Sequence, residues 1–454
     1  MKRSADSQET LSSHSKRRWK AILYAAISSA GAKAIAMACS LVQVPIALHF
    51  LGQEAFGLWM TLSSAVALMS FADLGIGVGV QNSVAEAYAD SDLTRITRIF
   101  TTGFLLMAAI GAGVFAVGAL VCYGVNWTSL FRVKDSALAE LVRPALFLVL
   151  GLFTAGLPLN AFPRVATGLQ LGWINGIAIA LGSVLALCLV IVASILKVPF
   201  LVFLAMALLP PILVNLITGG ILFAHLKWRF TQRWSPDFSL TRPLMRQGIV
   251  FLIPQINTMI LLTAPQLIIS ATLGVSAVTP YNLCQRLLNI VTQLTQMAIG
   301  PLWPAYTEAR ARGDWTWIAT AYRRSLFVSM ACAFPLCLAF ALRGREIILL
   351  WSRNAQGLPE TQLVILMSLF TFVLAMGQPG FYLLGGCKQL DGISWYATLT
   401  SAAFLLSVYP LAAARGVVGV ALSLLASYTV FTFICSLVEV TGLLRRNTNI
   451  PAHA

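Results

Sequence analysis

Charge is scarce in this sequence, and negative charge scarcest. Of its 454 residues only 10% are charged, and just 16 are Asp or Glu. A soluble domain carries about 25% charged residues because its surface faces water. Here 58% of residues are hydrophobic and the mean hydropathy is +0.82, so the surface must face something apolar. Cysteine pairing is absent too. Cys39, Cys122, Cys188, Cys284, Cys332, Cys337, Cys387 and Cys435 include no C-x-x-C and lie mostly in apolar stretches, which excludes a disulfide or metal framework. Motifs of an ATP motor or a common hydrolase (G-x-x-x-x-G-K-[ST], H-E-x-x-H, G-x-S-x-G) are missing, so neither an enzyme nor a cofactor is expected. Only His49 and His225 lie near apolar runs, and they form no ligand cluster. The net charge of +15 does not mark a nucleic-acid binder, because the basic residues are scattered among short connections.

What is present is a succession of long apolar runs. They lack the period-2 alternation of a barrel, and lipid offers no partner for open backbone, so they are helices. The sequence predicts twelve spans, at about 21–50, 56–80, 98–122, 143–165, 173–196, 199–225, 247–273, 275–304, 322–343, 361–384, 393–414 and 416–443. The first apolar run is too long for the core of a cleaved signal peptide and reads as an uncleaved span. Placing the N-terminus in the cytoplasm puts 21 Lys and Arg in inward segments against eight in outward ones, which predicts N-in, C-in.

The most hydrophilic connection, 226–246, divides the chain. A cytoplasmic tail (1–20) precedes an N-terminal six-helix bundle (21–225), and a C-terminal six-helix bundle (247–443) precedes a second cytoplasmic tail (444–454). A gapless shift of 222 residues supports two halves. It lays Leu51, Gly52 and Ala55 on Leu273, Gly274 and Ala277, and Glu86, Ala87, Ala89, Asp92 and Thr94 on Glu308, Ala309, Ala311, Asp314 and Thr316. A shift of six spans keeps orientation, so this is a parallel repeat, and such repeats hold substrate sites between their halves near the midplane. The expected fold is an all-α membrane protein, about 12 transmembrane helices in two pseudo-symmetric six-helix bundles around a central cavity.

Two cations fall inside spans. Lys33 lies roughly twelve residues, about 18 Å, from the start of span one, a long reach for snorkelling. Burying it in lipid costs about 2.5–3.5 kcal/mol. It shares a polar, small-residue stripe with Ser29, Ala36, Ser40 and Gln43, so it is read as facing a cavity. Arg286 sits on span eight, where Asn282, Gln285, Asn289, Gln293 and Gln296 recur every three or four residues. One such amide would be helix–helix glue; a full stripe with a guanidinium points to a water-filled cavity. Span seven adds a weaker stripe, Gln255, Thr258 and Gln266, beside Pro254 and Pro265. Asp73 is the one carboxylate well inside a span, either a partner for a cavity cation or the cap of a Gly-loosened helix. The cavity is thus neutral or positive and suits an anion, whose phosphate oxygens a guanidinium is shaped to hold. Asp90-Ser91-Asp92 has the form of a D-x-D metal motif but reads as a solvated turn.

Four stretches carry a resemblance: Phe50-Leu51-Gly52-Gln53-Glu54-Ala55-Phe56-Gly57-Leu58-Trp59; Phe71-Ala72-Asp73-Leu74-Gly75-Ile76-Gly77 with the Glu86 loop; Gly168-Leu169-Gln170-Leu171-Gly172; and Tyr281 to Gln296 leading into Pro301-Leu302-Trp303-Pro304-Ala305-Tyr306. In order and content they resemble the Wzx-type lipid-linked oligosaccharide (O-antigen and polysaccharide) flippases of the multidrug/oligosaccharidyl-lipid/polysaccharide exporter superfamily. The resemblance implies alternating access in the bacterial inner membrane, carrying an undecaprenyl-diphosphate-linked oligosaccharide outward. It implies Lys33 and Arg286 as holders of the diphosphate, with Gln43, Asp73, Gln266, Gln285, Asn289 and Gln293 lining the cavity. It also implies membrane lipids, a polysaccharide polymerase and a chain-length regulator as partners. An alternative within the same fold is a cation- or proton-coupled multidrug exporter, weakened by a lysine where such exporters tend to carry acids. A polysaccharide polymerase or ligase needs a large periplasmic loop, and the longest outward segment, about 123–142, leaves little room for one.

Overall fold

The computed structural model describes residues 2–69, 75–90, 92–225, 236–300, 302–353, 357–387 and 389–448, with side chains along the first helix described from Gly31 onward. Among these residues there are helices and no strands. The helices are α1 (Lys2–Met69), α2 (Ile76–Ala89), α3 (Leu93–Gly124), α4 (Trp127–Leu130), α5 (Ser136–Gly156), α6 (Ala161–Gly168), α7 (Gly172–Ile195), α8 (Phe200–Leu208), α9 (Pro210–His225), α10 (Thr241–Leu262), α11 (Ala264–Leu273), α12 (Val278–Ile299), α13 (Leu302–Ala311), α14 (Trp315–Ser352), α15 (Thr361–Gly386), α16 (Leu390–Ser427) and α17 (Cys435–Thr448), the last two joined by a π-helical turn, Tyr428–Ile434.

By length and composition, eight described helices can cross a membrane, and nine if the bent pair α10–α11 is one span. Two of these are interrupted by a glycine. Ser394–Asn447 has 54 residues, about 80 Å if straight, against an apolar layer of about 30 Å. The chain breaks at Gly416 (φ 60°, ψ −139°). Likewise α1 breaks at Gly52 (φ 76°, ψ 174°), between the first two expected spans. Prolines make other breaks. Pro265 follows the 47° bend between α10 and α11, and Pro210-Pro211 opens α9 after α8. Neither ring can donate to a preceding carbonyl, so the helical ladder stops there.

The internal repeat is visible in local geometry. Gly274 (φ 95°, ψ 161°) repeats the extended, positive-φ conformation of Gly52. Asp92 caps α3 by accepting from the Arg95 amide at 2.9 Å, and its counterpart Asp314 caps α14 by accepting from the Trp317 amide at 3.0 Å. The Asp314 carboxyl is held below its usual range by that amide and by the Thr316 hydroxyl.

Two compact units emerge. One comprises residues 1–46, 69–125 and 144–252; the other comprises 47–68, 126–143 and 253–454. In the first, Val80, Val84, Phe100, Phe162 and Leu222 form a core, with Phe100 and Phe162 ring centroids 5.3 Å apart. The Gly168–Gly172 motif is a turn in it: Gln170 takes a positive φ of 61° and the Leu171 amide closes back on the Ala166 carbonyl at 2.8 Å. In the second unit Tyr306, Ile318, Tyr322, Leu383 and Val440 form a core. Trp303 and Tyr306 pack against Gly385 and Gly386, and Arg310 donates to the Cys387 carbonyl. The sequence around Pro301–Tyr306 therefore anchors α13 to the end of α15.

Candidate functional site

The second unit holds the amide stripe of α12. Asn282, Gln285, Arg286, Asn289, Gln293 and Gln296 fall within one arc of about 100° at 3.6 residues per turn. The stripe grades from buried to open: Asn282 is 2% exposed, Gln285, Arg286, Gln293 and Gln296 are half-buried, and Asn289 is exposed.

Gln285 is the junction of a hydrogen-bonded chain. Its Nε2 donates to the Leu262 carbonyl at 2.9 Å, its Oε1 accepts from Gln266 Nε2 at 2.6 Å, and Gln266 Oε1 accepts from Ser64 Oγ at 2.6 Å. The directions are forced. Leu262 offers only an acceptor, so Gln285 must present its amino group there, which turns its oxygen to Gln266 and the oxygen of Gln266 to the serine hydroxyl. Leu262 ends α10 where the helix bends, so its carbonyl lacks the continuing helix and Gln285 supplies the missing donor.

Arg286, next along the helix, lies with Nη2 4.0 Å from the Met60 thioether sulfur. A sulfur is a weak acceptor for a guanidinium N–H. Asn289 Oδ1 accepts from Thr292 Oγ1 on its own helix at 3.3 Å. Asn282 Oδ1 and Gln293 Oε1 are occluded and accept no hydrogen bond from the described residues.

The segment 47–68 of α1 is fastened to the same unit near its start. Gln53 Nε2 donates to the Ser276 carbonyl at 3.1 Å, and the Gln53 carbonyl accepts from Thr279 Oγ1 at 2.8 Å. Glu54 Oε1 accepts from the Lys134 and Asp135 amides at 2.5 and 3.3 Å. Gly57 lies so close to the Val275 carbonyl that a Cβ would collide with it. The Phe50–Trp59 motif is thus a clamp: a break at Gly52, two side chains that grip, and a glycine for close approach.

The sequence-derived candidates separate accordingly. Gln266, Gln285 and Arg286 come together around Met60 and Ser64. Neither Met60 nor Ser64 was anticipated, since a methionine and a serine on an apolar helix carry no periodic polar signal. Asn289 and Gln293 stay on the stripe but outside the chain of hydrogen bonds. Lys33 is exposed on the part of α1 that belongs to the first unit. Gln43, ten residues on, lines a cavity within that unit. Thr258 is exposed; Asp73 and the Gln255 side chain lie outside the described residues. Among described residues, no three His, Cys, Asp or Glu are placed to hold a metal.

Comparison with known proteins agrees with this architecture. A protein described as a putative O-antigen transporter of Salmonella typhi is 22% identical over 301 residues, 64% of this chain; the chain spans 66% of that relative's length. An inward-facing structure of a multidrug resistance MATE family transporter of the MOP superfamily matches with a TM-score of 0.69 at 14% identity, covering 92% of this chain and 96% of that one. The outward-facing structure of such a transporter gives 0.60 at 14%, over 94% and 96%. A MOP superfamily transporter from Pyrococcus furiosus, whose binding pocket is described as reversed in polarity, gives 0.59 at 15%, over 94% and 96%. At such identities the likeness is one of fold. Residues 22–309 match the family model described as "Polysaccharide biosynthesis protein". This chain is a multi-pass membrane protein of the polysaccharide biosynthesis protein family, built on the MOP-superfamily transporter fold.

Proposed function

We propose that the protein moves an undecaprenyl-diphosphate-linked oligosaccharide from the inner to the outer leaflet of the bacterial inner membrane by alternating access, for surface polysaccharide synthesis. In this reading the chain makes twelve crossings in two six-helix halves with both termini cytoplasmic: up to nine apolar spans, two of them broken at Gly52 and Gly416 and counted twice, together with the polar helix α12. A polysaccharide polymerase and a chain-length regulator receive the exported unit. The observation that carries this reading is Arg286, a half-buried guanidinium on a face otherwise made of uncharged amides. An ionic group inside a membrane helix marks a substrate path by default, and this one has the fork geometry that fits phosphate oxygens in pairs. In the proposal Lys33 supplies a second point charge for the diphosphate.

The test is complementation of a polysaccharide-deficient strain. Arg286→Gln keeps a polar group within an amide stripe, so membrane abundance is unchanged while export is lost. Arg286→Lys keeps the charge but not the fork and retains part of the function. Full export by the glutamine variant at normal abundance would show the guanidinium to be structural.

A further inference from the structure

The first unit contains a cavity of about 500 Å³ that the diphosphate site does not account for. That is within the range of about 300–1,000 Å³ typical of small-molecule sites. Its walls are Ser40 and Gln43 of α1, Asn175, Gly182, Ser183 and Ala186 of α7, and the Ala207–Pro210–Pro211 break between α8 and α9. No wall residue is Asp, Glu, Lys, Arg or His. The Gln43 side chain is half-buried and makes no hydrogen bond to the described residues. A carboxamide at membrane depth with neither donors nor acceptor used is a group kept for a ligand. On the same lining, Pro211 has no N–H, so the Ala207 carbonyl loses its i+4 donor. Leu209, the remaining amide nearby, is engaged by Ala205 at 2.9 Å. Irregular backbone at this depth is tolerated where it lines a cavity. Ser183 Oγ donates to the Ile179 carbonyl at 2.8 Å, which leaves its oxygen to accept.

The wall thus offers free carbonyl and hydroxyl acceptors, one unused carboxamide and no charge. That combination suits a neutral ligand rich in O–H donors and unsuited to a phosphate. We infer that this cavity is a saccharide subsite, taking an uncharged sugar unit of the lipid-linked substrate; the inference rests on the flippase reading above.

The test uses the full-length protein in lipid nanodiscs and two probes, undecaprenyl diphosphate alone and undecaprenyl diphosphate bearing one N-acetylhexosamine, with binding followed by native mass spectrometry. The wild type binds the sugar-bearing lipid about fivefold more tightly, the worth of one or two net hydrogen bonds. Gln43→Met, which keeps shape and removes the amide, abolishes that preference; Ala186→Leu, which fills the space, abolishes it and leaves the bare lipid's affinity unchanged. Arg286→Gln weakens both lipids equally and preserves the preference. Retention of the preference in both cavity variants, or its absence in the wild type, overturns the subsite alone. Failure of the wild type to bind either lipid overturns the flippase reading and the subsite with it.

Discussion

Gln285 uses both ends of its carboxamide, one on the open carbonyl of Leu262 and the other on Gln266. Replacing it with leucine removes two hydrogen bonds and leaves both partners unmet. Hydrogen bonds between membrane helices average about 0.6 kcal/mol, and an unmet buried polar group costs about 1–3 kcal/mol. Gln285→Leu should therefore destabilise the purified protein by about 1–2 kcal/mol, seen as a lower melting temperature in detergent; an unchanged value would contradict the relay. At this scale the sequence was informative where polarity was periodic. Six polar side chains on one arc of α12 stand out against an apolar background. Ser64 does not, because a lone serine on a membrane helix is as easily satisfied by its own backbone; the Met60 carbonyl, 2.9 Å from Ser64 Oγ, is such an alternative acceptor for its one hydroxyl proton.

Among the helices, the informative residues are those that break them. Gly52 and Gly274, matched by the internal repeat, both take extended backbone at positive φ, a region that costs other residues about 1–3 kcal/mol. Gly52→Ala and Gly274→Ala should each lower the melting temperature, whereas Gly113→Ala, mid-helix in open space, should leave it unchanged or raise it slightly. Equal effects at all three would show that the two breaks are not conformationally required. The repeat was legible from eight identities because glycines and capping aspartates do fixed backbone jobs. The bends at Thr263 and Leu209 were less so: proline announces that a helix is disturbed, while the angle depends on what packs around it.

The whole chain shows its membrane character through composition, and its charge bias predicts an orientation. If the proposed topology holds, placing 21 cations on one side against eight, cysteines introduced at positions 235 and 355 of a cysteine-free background should be labelled from opposite faces of the membrane. Labelling from one face would break the twelve-span count. That residues 47–68 join the second unit was not legible, because it follows from the grip of Gln53, Glu54 and Ser64 on partners more than 70 residues away in sequence. The account's central claim is that this protein flips a diphosphate-linked sugar lipid using Arg286. Its most direct test is reconstitution into sealed vesicles containing fluorescent undecaprenyl-diphosphate N-acetylhexosamine, with outer-leaflet probe measured by an impermeant quencher. The account predicts that wild-type protein exchanges probe between leaflets and that Arg286→Gln does not. Equal exchange by both proteins, or no exchange alongside efflux of small organic cations, would contradict it.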